Sequence, residues 1–149
     1  QEVVHTGVGQ ASSSMEVIGN VYGIAEAAGD TALDYIKFTV GTTAGGTGID
    51  ITKMVVSYAD EAFRDPDLEK EDTANTAPAE GKWKIMEKLN ADTDDILEPG
   101  EQFVIGVDIS AANLAVNNPF TVSLQPSVGG VMQIKRTVPP YIEKVNILY

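Results

Sequence analysis

The sequence lacks the residues on which most enzymatic nucleophiles depend. Its 149 residues include no cysteine and one histidine, His5. Without cysteine there is no disulfide framework and no thiolate chemistry. A serine or threonine nucleophile needs a base that packing holds beside it, and His5 lies close to the start of the chain. The sequence therefore predicts no catalytic residues and no hydrolase, transferase or oxidoreductase activity.

Positive charge is also scarce. Ten Lys and Arg stand against 22 Asp and Glu, which gives a net charge of −12. Nucleic acids and anionic lipid surfaces are bound by clustered basic residues, so neither is an expected partner. No run approaches the roughly 20 apolar residues of a membrane span. The chain begins at Gln1 without a signal-peptide pattern, and this favours a processed or truncated start.

Two glycine-rich stretches do not amount to cofactor sites. "GVGQAS" (7–12) has no strand before it, and "GTTAGGTG" (41–48) lacks the Lys-Ser/Thr of a phosphate-binding loop. Trp83 is the only tryptophan, which is too little for an aromatic sugar-binding platform. We expect it in the core or at its edge.

Short apolar bursts dominate the rest of the chain and predict strands. "LDYIKFTV" (33–40) alternates as a half-buried strand should, and "MEVIGNVYGIAEA" (15–27) predicts a long strand with a bulge at Gly19 or Gly23. The other predicted strands are 49–59, 82–89, 102–109, 120–127 and 131–138. Residues 60–81 have the composition of a surface loop, and 109–119 predict a short helix or a long loop. The pattern favours an all-β, immunoglobulin-like β-sandwich of about seven to nine antiparallel strands.

The most informative polar stretch is "LNADTDDILEPGEQ" (89–102). Asn90, Asp92, Asp94 and Asp95 offer four oxygen-bearing side chains within six positions, and hard cations prefer such ligands. The spacing is not that of an EF-hand. We predict a structural site for one divalent cation, calcium or magnesium, at these four residues, with Glu98 and Glu101 as weaker candidates. A solvated turn between two strands is the alternative.

Four blocks of the chain resemble archaeal flagellins (archaellins). They are "ASSSMEVIGNVYGIA", "YIKFTVGTTAGGTGIDITKMVVSYAD", "ILEPGEQFVIGVDI" and "KRTVPPYIEKVNILY", in the family's order and across nearly the whole chain. The resemblance implies a structural subunit of the archaellum, the swimming filament of archaea. It also implies an outward-facing sandwich, an extracellular location and, in some members, a divalent cation in the sandwich.

The resemblance also sets the expected domain organisation and partners. Residues 1–14 are expected to form a neck after an apolar N-terminal helix that this chain lacks, and 15–149 the sandwich. In the family that helix bundles in the filament core, so the partners are copies of the same or a paralogous flagellin. This chain alone is expected to be monomeric, and it has no N-glycosylation sequon. Two alternatives are a non-polymerising archaellum accessory sandwich protein and a secreted carbohydrate-binding or adhesion module.

Overall fold

The computed structural model describes residues 14–45, 47–73 and 76–149. Eleven strands lie in this part of the chain: β1 (Met15–Ile24), β2 (Tyr35–Thr42), β3 (Ile49–Asp50), β4 (Val55–Ala59), β5 (Arg64–Lys70), β6 (Lys82–Leu89), β7 (Ile96–Leu97), β8 (Gln102–Asp108), β9 (Pro119–Gln125), β10 (Met132–Thr137) and β11 (Val145–Leu148). Two short 3₁₀ helices, Ile51–Lys53 and Ser110–Ala112, are the only helices in these residues. Neither is long or apolar enough to cross a bilayer.

Nine of the strands form one sheet in the order β10-β9-β4-β5-β6-β8-β2-β1-β11, and β3 pairs with β7 separately. Strand β5 joins two halves, because its first residues pair antiparallel with β4 and its last two pair parallel with β6. All other pairs of neighbouring strands are antiparallel. The inward side chains of both halves share one apolar core, so the halves pack face to face as a β-sandwich. The predicted all-β class is confirmed.

The two ends of the long sheet approach each other. The N–H of Thr137, the last residue of β10, donates a hydrogen bond of 3.1 Å to the carbonyl oxygen of Tyr149, which follows β11. We call this place the seam. In the rolled sheet, β5 lies on the side opposite the seam, because two strands lie between it and β10 and four lie between it and β11.

Alternation of apolar and polar side chains explains which residues are inside. In β2, Ile36, Phe38 and Val40 are buried, whereas Tyr35 and Lys37 point outward. Trp83 in β6 is 1% exposed, which confirms the expectation that it belongs to the core. Gly19 has φ +78°, and the register of β1 against β2 shifts between Ile18 and Tyr22. The bulge expected at Gly19 is therefore present.

Some boundaries predicted from the sequence are wrong. Residues 60–81 were expected to be a loop but contain β5, in which only Leu68 is buried. One inward apolar residue is too weak a period-2 signal to mark a strand. The predicted strand 49–59 is broken into β3, a 3₁₀ turn and β4, since the Asp50 side chain caps the turn by accepting from the N–H of Thr52. The 3₁₀ helix Ser110–Ala112 agrees with the short-helix alternative for 109–119.

Candidate cation site

The acidic stretch forms a loop of residues 90–101 between β6 and β8. Its middle is tied to another part of the chain, because β7 pairs with β3 and the N–H of Ile51 donates to the carbonyl oxygen of Asp95 at 2.9 Å. Asn90 begins the loop with a left-handed backbone (φ +53°), a conformation that Asn tolerates better than most residues. Two-sided anchoring of this kind holds the intervening carboxylates in defined positions.

Within the loop, aspartate side chains cap the backbone that follows them. The N–H of Asp94 donates to Oδ1 of Asp92 at 3.3 Å, and the N–H of Ile96 donates to Oδ1 of Asp94 at 3.1 Å. Both bonds join a side chain to the backbone two residues on, the pattern of an Asx turn. This repeated turn brings Asp92 and Asp94 to the same side of the loop.

A tight turn brings a third carboxylate to the same place. Pro99 and Gly100 are the central residues of a turn in which the N–H of Glu101 donates to the carbonyl oxygen of Glu98 at 3.0 Å. Gly100 has φ +87°, which the third position of a type II turn requires. The Glu101 carboxylate is buried and accepts from the N–H of Glu98 at 2.9 Å and of Asp92 at 3.3 Å. The Glu101 carboxylate therefore links the beginning and the end of the loop through hydrogen bonds.

Asp92, Asp94 and Glu101 converge. Each offers a carboxylate oxygen, and these oxygens all lie within 4.8 Å of one another, with Glu101 buried and the two aspartates exposed. Among the described residues this is the one group of at least three carboxylate or imidazole side chains that is close enough to share an ion. Two of the four residues predicted from the sequence, Asp92 and Asp94, are in it. Asn90 is exposed at the start of the loop.

The fourth predicted residue, Asp95, is turned to basic partners. Its Oδ1 lies 2.7 Å from Nζ of Lys88, and its Oδ2 lies 3.5 Å from Nζ of Lys70. Lys88 also donates to the carbonyl oxygens of Thr93 at 3.1 Å and Asp94 at 2.6 Å. Thus lysines hold one side of the loop, and within the described part of the chain none of the three clustered carboxylates forms an ion pair with a lysine or arginine.

The pKa shifts differ between the carboxylates of the cluster and the lysine-bound Asp95. The pKa of Asp94 is raised, first because its side chain shares a hydrogen bond with Asp92 and further by repulsion from that carboxylate. The pKa of Glu98 is raised by the negative charges of Glu101 and Asp92. The pKa of Asp95 is lowered, chiefly by its hydrogen bond from Lys88. Ionisation of the carboxylate cluster therefore costs free energy that a bound cation would offset.

The sequence analysis ranked Glu101 below the aspartates, and the turn was the available signal for it. In "EPGE" (98–101), proline followed by glycine predicts a chain reversal, which returns the second glutamate toward the residues before the turn. That Glu101, and not Glu98, is the buried one depends on the packing of β8 and could not be read from the motif. His5, the only histidine, lies outside the described residues.

The fold and this loop together define a class: an all-β sandwich with an acidic loop between two core strands. The chain belongs to the archaeal-type flagellin family, whose model matches residues 1–136. It is 30% identical to probable flagellin 1 of Archaeoglobus fulgidus over 157 aligned positions, which cover 99% of this chain and 76% of that protein. Members of this family are structural proteins and not enzymes.

Two solved structures share the fold. The crystal structure of archaeal flagellin FlaB1 from Methanocaldococcus jannaschii matches with a TM-score of 0.70 at 17% identity, over 92% of this chain and 97% of that one. The archaeal flagellum of Methanospirillum hungatei matches with a TM-score of 0.63 at 17% identity, over 99% of this chain and 78% of that one. These similarities show that the sandwich described above is the flagellin fold.

Proposed function

We propose that this chain is a structural subunit of the archaellum, with its sandwich facing outward on the extracellular filament and one divalent cation bound in the 90–101 loop. The observation that carries the proposal is the family match over residues 1–136, supported by the sandwich shared with two flagellin structures. The partners are copies of this or a paralogous flagellin. Neither a nucleic acid nor a membrane surface is among the proposed partners of these residues.

The role is mechanical. A subunit that faces solvent in a rotating filament has to keep its shape under load, and the sandwich does so through one continuous core. The domain division follows the sequence analysis, with 1–14 as the neck and 15–149 as the outer domain. The chain is proposed to be monomeric in dilute solution, because its net charge of −12 opposes association.

The cation would be calcium or magnesium, because the donors are all hard oxygens. Asp92, Asp94 and Glu101 are the proposed ligands, supported by their convergence within 4.8 Å. They supply three carboxylates, and water or further oxygens complete the six to eight ligands that calcium takes. The carbonyl oxygens of Thr93 and Asp94 already accept from Lys88. The ion's role would be to hold together carboxylates that otherwise repel one another.

Filament location tests the function. Filaments sheared from cells that produce this subunit with an epitope tag should contain the tagged chain along their whole length, as seen by immunogold labelling, and deletion of its gene should impair swimming. A chain found only in the cell envelope, and absent from sheared filaments, would instead identify an accessory protein. Binding to a glycan array with intact swimming in the deletion strain would identify a sugar-binding module.

Thermal melting tests the cation. A ligand that binds only the folded state stabilises it by about 2.7 kcal/mol at a hundredfold excess over its dissociation constant. For a chain of this size that corresponds to a rise in Tm of roughly 5–10 °C. Calcium or magnesium should raise the Tm of the parent chain above its value in chelator. The rise should be absent in Asp92→Ala and Glu101→Gln and present in the control Glu80→Gln, an exposed acid outside the loop. Equal melting of the parent with calcium and with chelator would leave the loop a solvated turn.

A further inference from the structure

The outer face of the sheet next to the seam is apolar. Tyr22 pairs with Ile147 and Ile24 pairs with Val145, and all four side chains point away from the core. Val145 is 58% exposed, Ile147 is 44% exposed and the chain's last residue, Tyr149, is 87% exposed. We call these five residues the seam face. Antiparallel sheets normally present polar side chains to water on their outer face, so a cluster of this kind marks a contact site.

The same half of the sheet is covered elsewhere. On β6, Lys84 also points outward, yet it is fully buried because the segment after β5 folds over it and bonds its Nζ to Glu71, Thr73 and Thr76. Pro78 in this segment is buried as well, and it lies 3.2 Å from where a Cβ on Gly106 would be. The fold thus covers the outer face over β6 and β8 and leaves the seam face open.

Charge differs sharply between the seam and the opposite side. Residues 131–149, which form the seam, carry three basic residues and a single acidic one, Glu143. Residues 60–72, which contain β5, carry seven carboxylates against Arg64 and Lys70. Glu61, Asp67, Glu69 and Asp72 are exposed there, and we call these four residues the acidic edge. In a chain with a net charge of −12, the stretch 131–149 therefore stands out as net positive, although Glu26 lies close to it, since the N–H of Ala25 donates to the carbonyl oxygen of Lys144.

We infer that the seam face of one copy docks beside the acidic edge of a second copy of this chain. The inference rests on the proposed function. Charge complementarity favours this partner. Lys144 is exposed beside Val145, and among the described residues Glu61 and Asp67 of the acidic edge form no ion pair, whereas Glu69 and Asp72 lie beside Lys82 and Lys70. Two seam faces together would gain apolar contact but would bring like-charged lysines close, and two acidic edges would repel.

The geometry of such a contact suits a filament. The two surfaces are different and lie on opposite sides of the rolled sheet, so the contact is heterologous and each copy can bind one neighbour on each side. Heterologous contacts that do not close into a ring generate open helical assemblies. Between free chains the contact is weak, and it becomes occupied when the filament core holds subunits at high effective concentration.

Cysteine cross-linking tests the inference, because the chain has no cysteine of its own. One variant carries Val145→Cys on the seam face, and the other carries Ala62→Cys or Pro66→Cys, exposed uncharged positions beside the acidic edge. Mixed under oxidising conditions at high concentration, the two variants should form the mixed dimer at least fivefold faster than either forms a dimer with itself. A chain with both cysteines should give a ladder of oligomers.

Ala111→Cys serves as the control, because Ala111 is exposed in the 3₁₀ helix after β8, and the cross-linking rate of this variant measures random collision. Lys144→Glu should slow the mixed cross-link at least threefold, and Lys53→Glu, which changes the net charge equally at another exposed site, should not. A mixed rate equal to that of Ala111→Cys would overturn the docking contact. If Val145→Cys cross-links fastest to itself, the contact between copies is not heterologous. A disulfide between positions 145 and 62 or 66 within one chain would show that the seam face and the acidic edge do not lie on opposite sides of the sheet.

The cross-linking needs neither filaments nor the cation. Its failure, with the tagged chain present in sheared filaments, would remove this contact and leave the proposed function in place. If the cross-link forms but the tagged chain is absent from filaments, the contact would stand and the proposed function would be removed. The reactivity of a cysteine at position 145 toward a thiol reagent gives a further check. If the cysteine is protected equally at low and high protein concentration, residues 1–13 of the same chain cover the seam face, and the inference is overturned.

Discussion

The ammonium nitrogen of Lys88 lies 2.7 Å from Oδ1 of Asp95, and it also donates to the carbonyl oxygens of Thr93 and Asp94. One lysine on β6 thus holds three consecutive residues of the acidic loop. The same nitrogen lies 5.5 Å from the ring centroid of the buried Phe103, so the ammonium also lies over an aromatic ring of the core. The loop is anchored by a cation of the protein itself on one side, and its three clustered carboxylates remain together on the other.

Replacing this lysine should loosen the loop. Hydrogen bonds to charged groups contribute about 1.5–3 kcal/mol, and partial exposure of both partners reduces that, so Lys88→Met should cost about 1–2 kcal/mol of unfolding free energy in urea denaturation. Lys82→Met is the control, since its 3.5 Å pair with exposed Glu69 is worth little. Equal losses in the two variants would contradict a specific role for Lys88.

Acid should reduce the stabilisation that Lys88 provides. Its hydrogen bond lowers the pKa of Asp95 below the ordinary value, so this contribution is present above the unfolded pKa and is lost as the pH falls through the folded one. The difference in stability between the parent and Lys88→Met, measured in chelator, should therefore shrink in acid. A difference that is constant down to the pH of acid unfolding would show that Lys88 acts only through packing.

Cation binding should depend on pH through Asp94. The hydrogen bond and repulsion from Asp92 raise the pKa of Asp94, so protons compete for it at a higher pH than for an ordinary aspartate. In chelator, the contributions of Asp94 and Glu98 to stability increase as the pH falls through their raised values, because protonation removes repulsion. The Tm gain from calcium should be full at neutral pH and vanish on acidification, with Asp94→Asn showing none. A gain independent of pH would place the ion elsewhere.

The buried lysine of β6 should be sensitive to loss of its partner. Lys84 is fully buried with Nζ 3.3 Å from Oε1 of Glu71 and 3.0 Å from each Oγ1 of Thr73 and Thr76. Removing the carboxylate leaves the buried ammonium without its counter-charge, so Glu71→Gln should cost about 3 kcal/mol. The double variant Lys84→Met with Glu71→Gln should lose less than Glu71→Gln alone, because it no longer contains a buried unpaired ammonium. Additive losses in a denaturation cycle would show that the two charges are not coupled.

Tyr58 and Asp60 form a second testable pair. The Tyr58 O–H donates to Oδ2 of Asp60 at 2.6 Å, and Tyr58→Phe should cost about 1–2 kcal/mol. Burial, and then the hydrogen bond to Asp60, raise the pKa of Tyr58 above its ordinary 10.0. Its stabilisation is therefore present below pH 10 and is lost as the pH rises further. The gap between the parent and Tyr58→Phe should narrow in alkali; a gap that widens would contradict the assignment.

Oligomeric state is the last prediction. At micromolar concentration, the chain should sediment with the mass of a single copy, because its net charge of −12 opposes association and the seam contact is weak. Analytical ultracentrifugation over a hundredfold range of concentration measures this. Spontaneous filaments at these concentrations would contradict the prediction.

The sequence by itself determined the class of fold and the position of the acidic loop. Period-2 alternation marks a strand such as 33–40 directly, because burying one face of a sheet forces apolar residues into every second position. Clustered Asp92 and Asp94 identify a loop with oxygen ligands in the same direct way, since both signals are local. The order of four sequence blocks was enough to recognise the family.

Only the tertiary structure decided the features that depend on residues far apart in the chain. Strand β5 is a strand because β4 and β6 offer it hydrogen-bonding partners, although its own composition is that of a loop. Asp95 is separated from its neighbours because Lys70 and Lys88, on two other strands, bind it. Glu101 is buried next to the exposed Pro99–Gly100 turn, where it accepts from the N–H groups of Asp92 and Glu98. The seam face exists only because β1 and β11, the first and last strands of the described chain, pair antiparallel. Local pattern sets what each segment can be, and contacts between distant segments set which side chains share a surface.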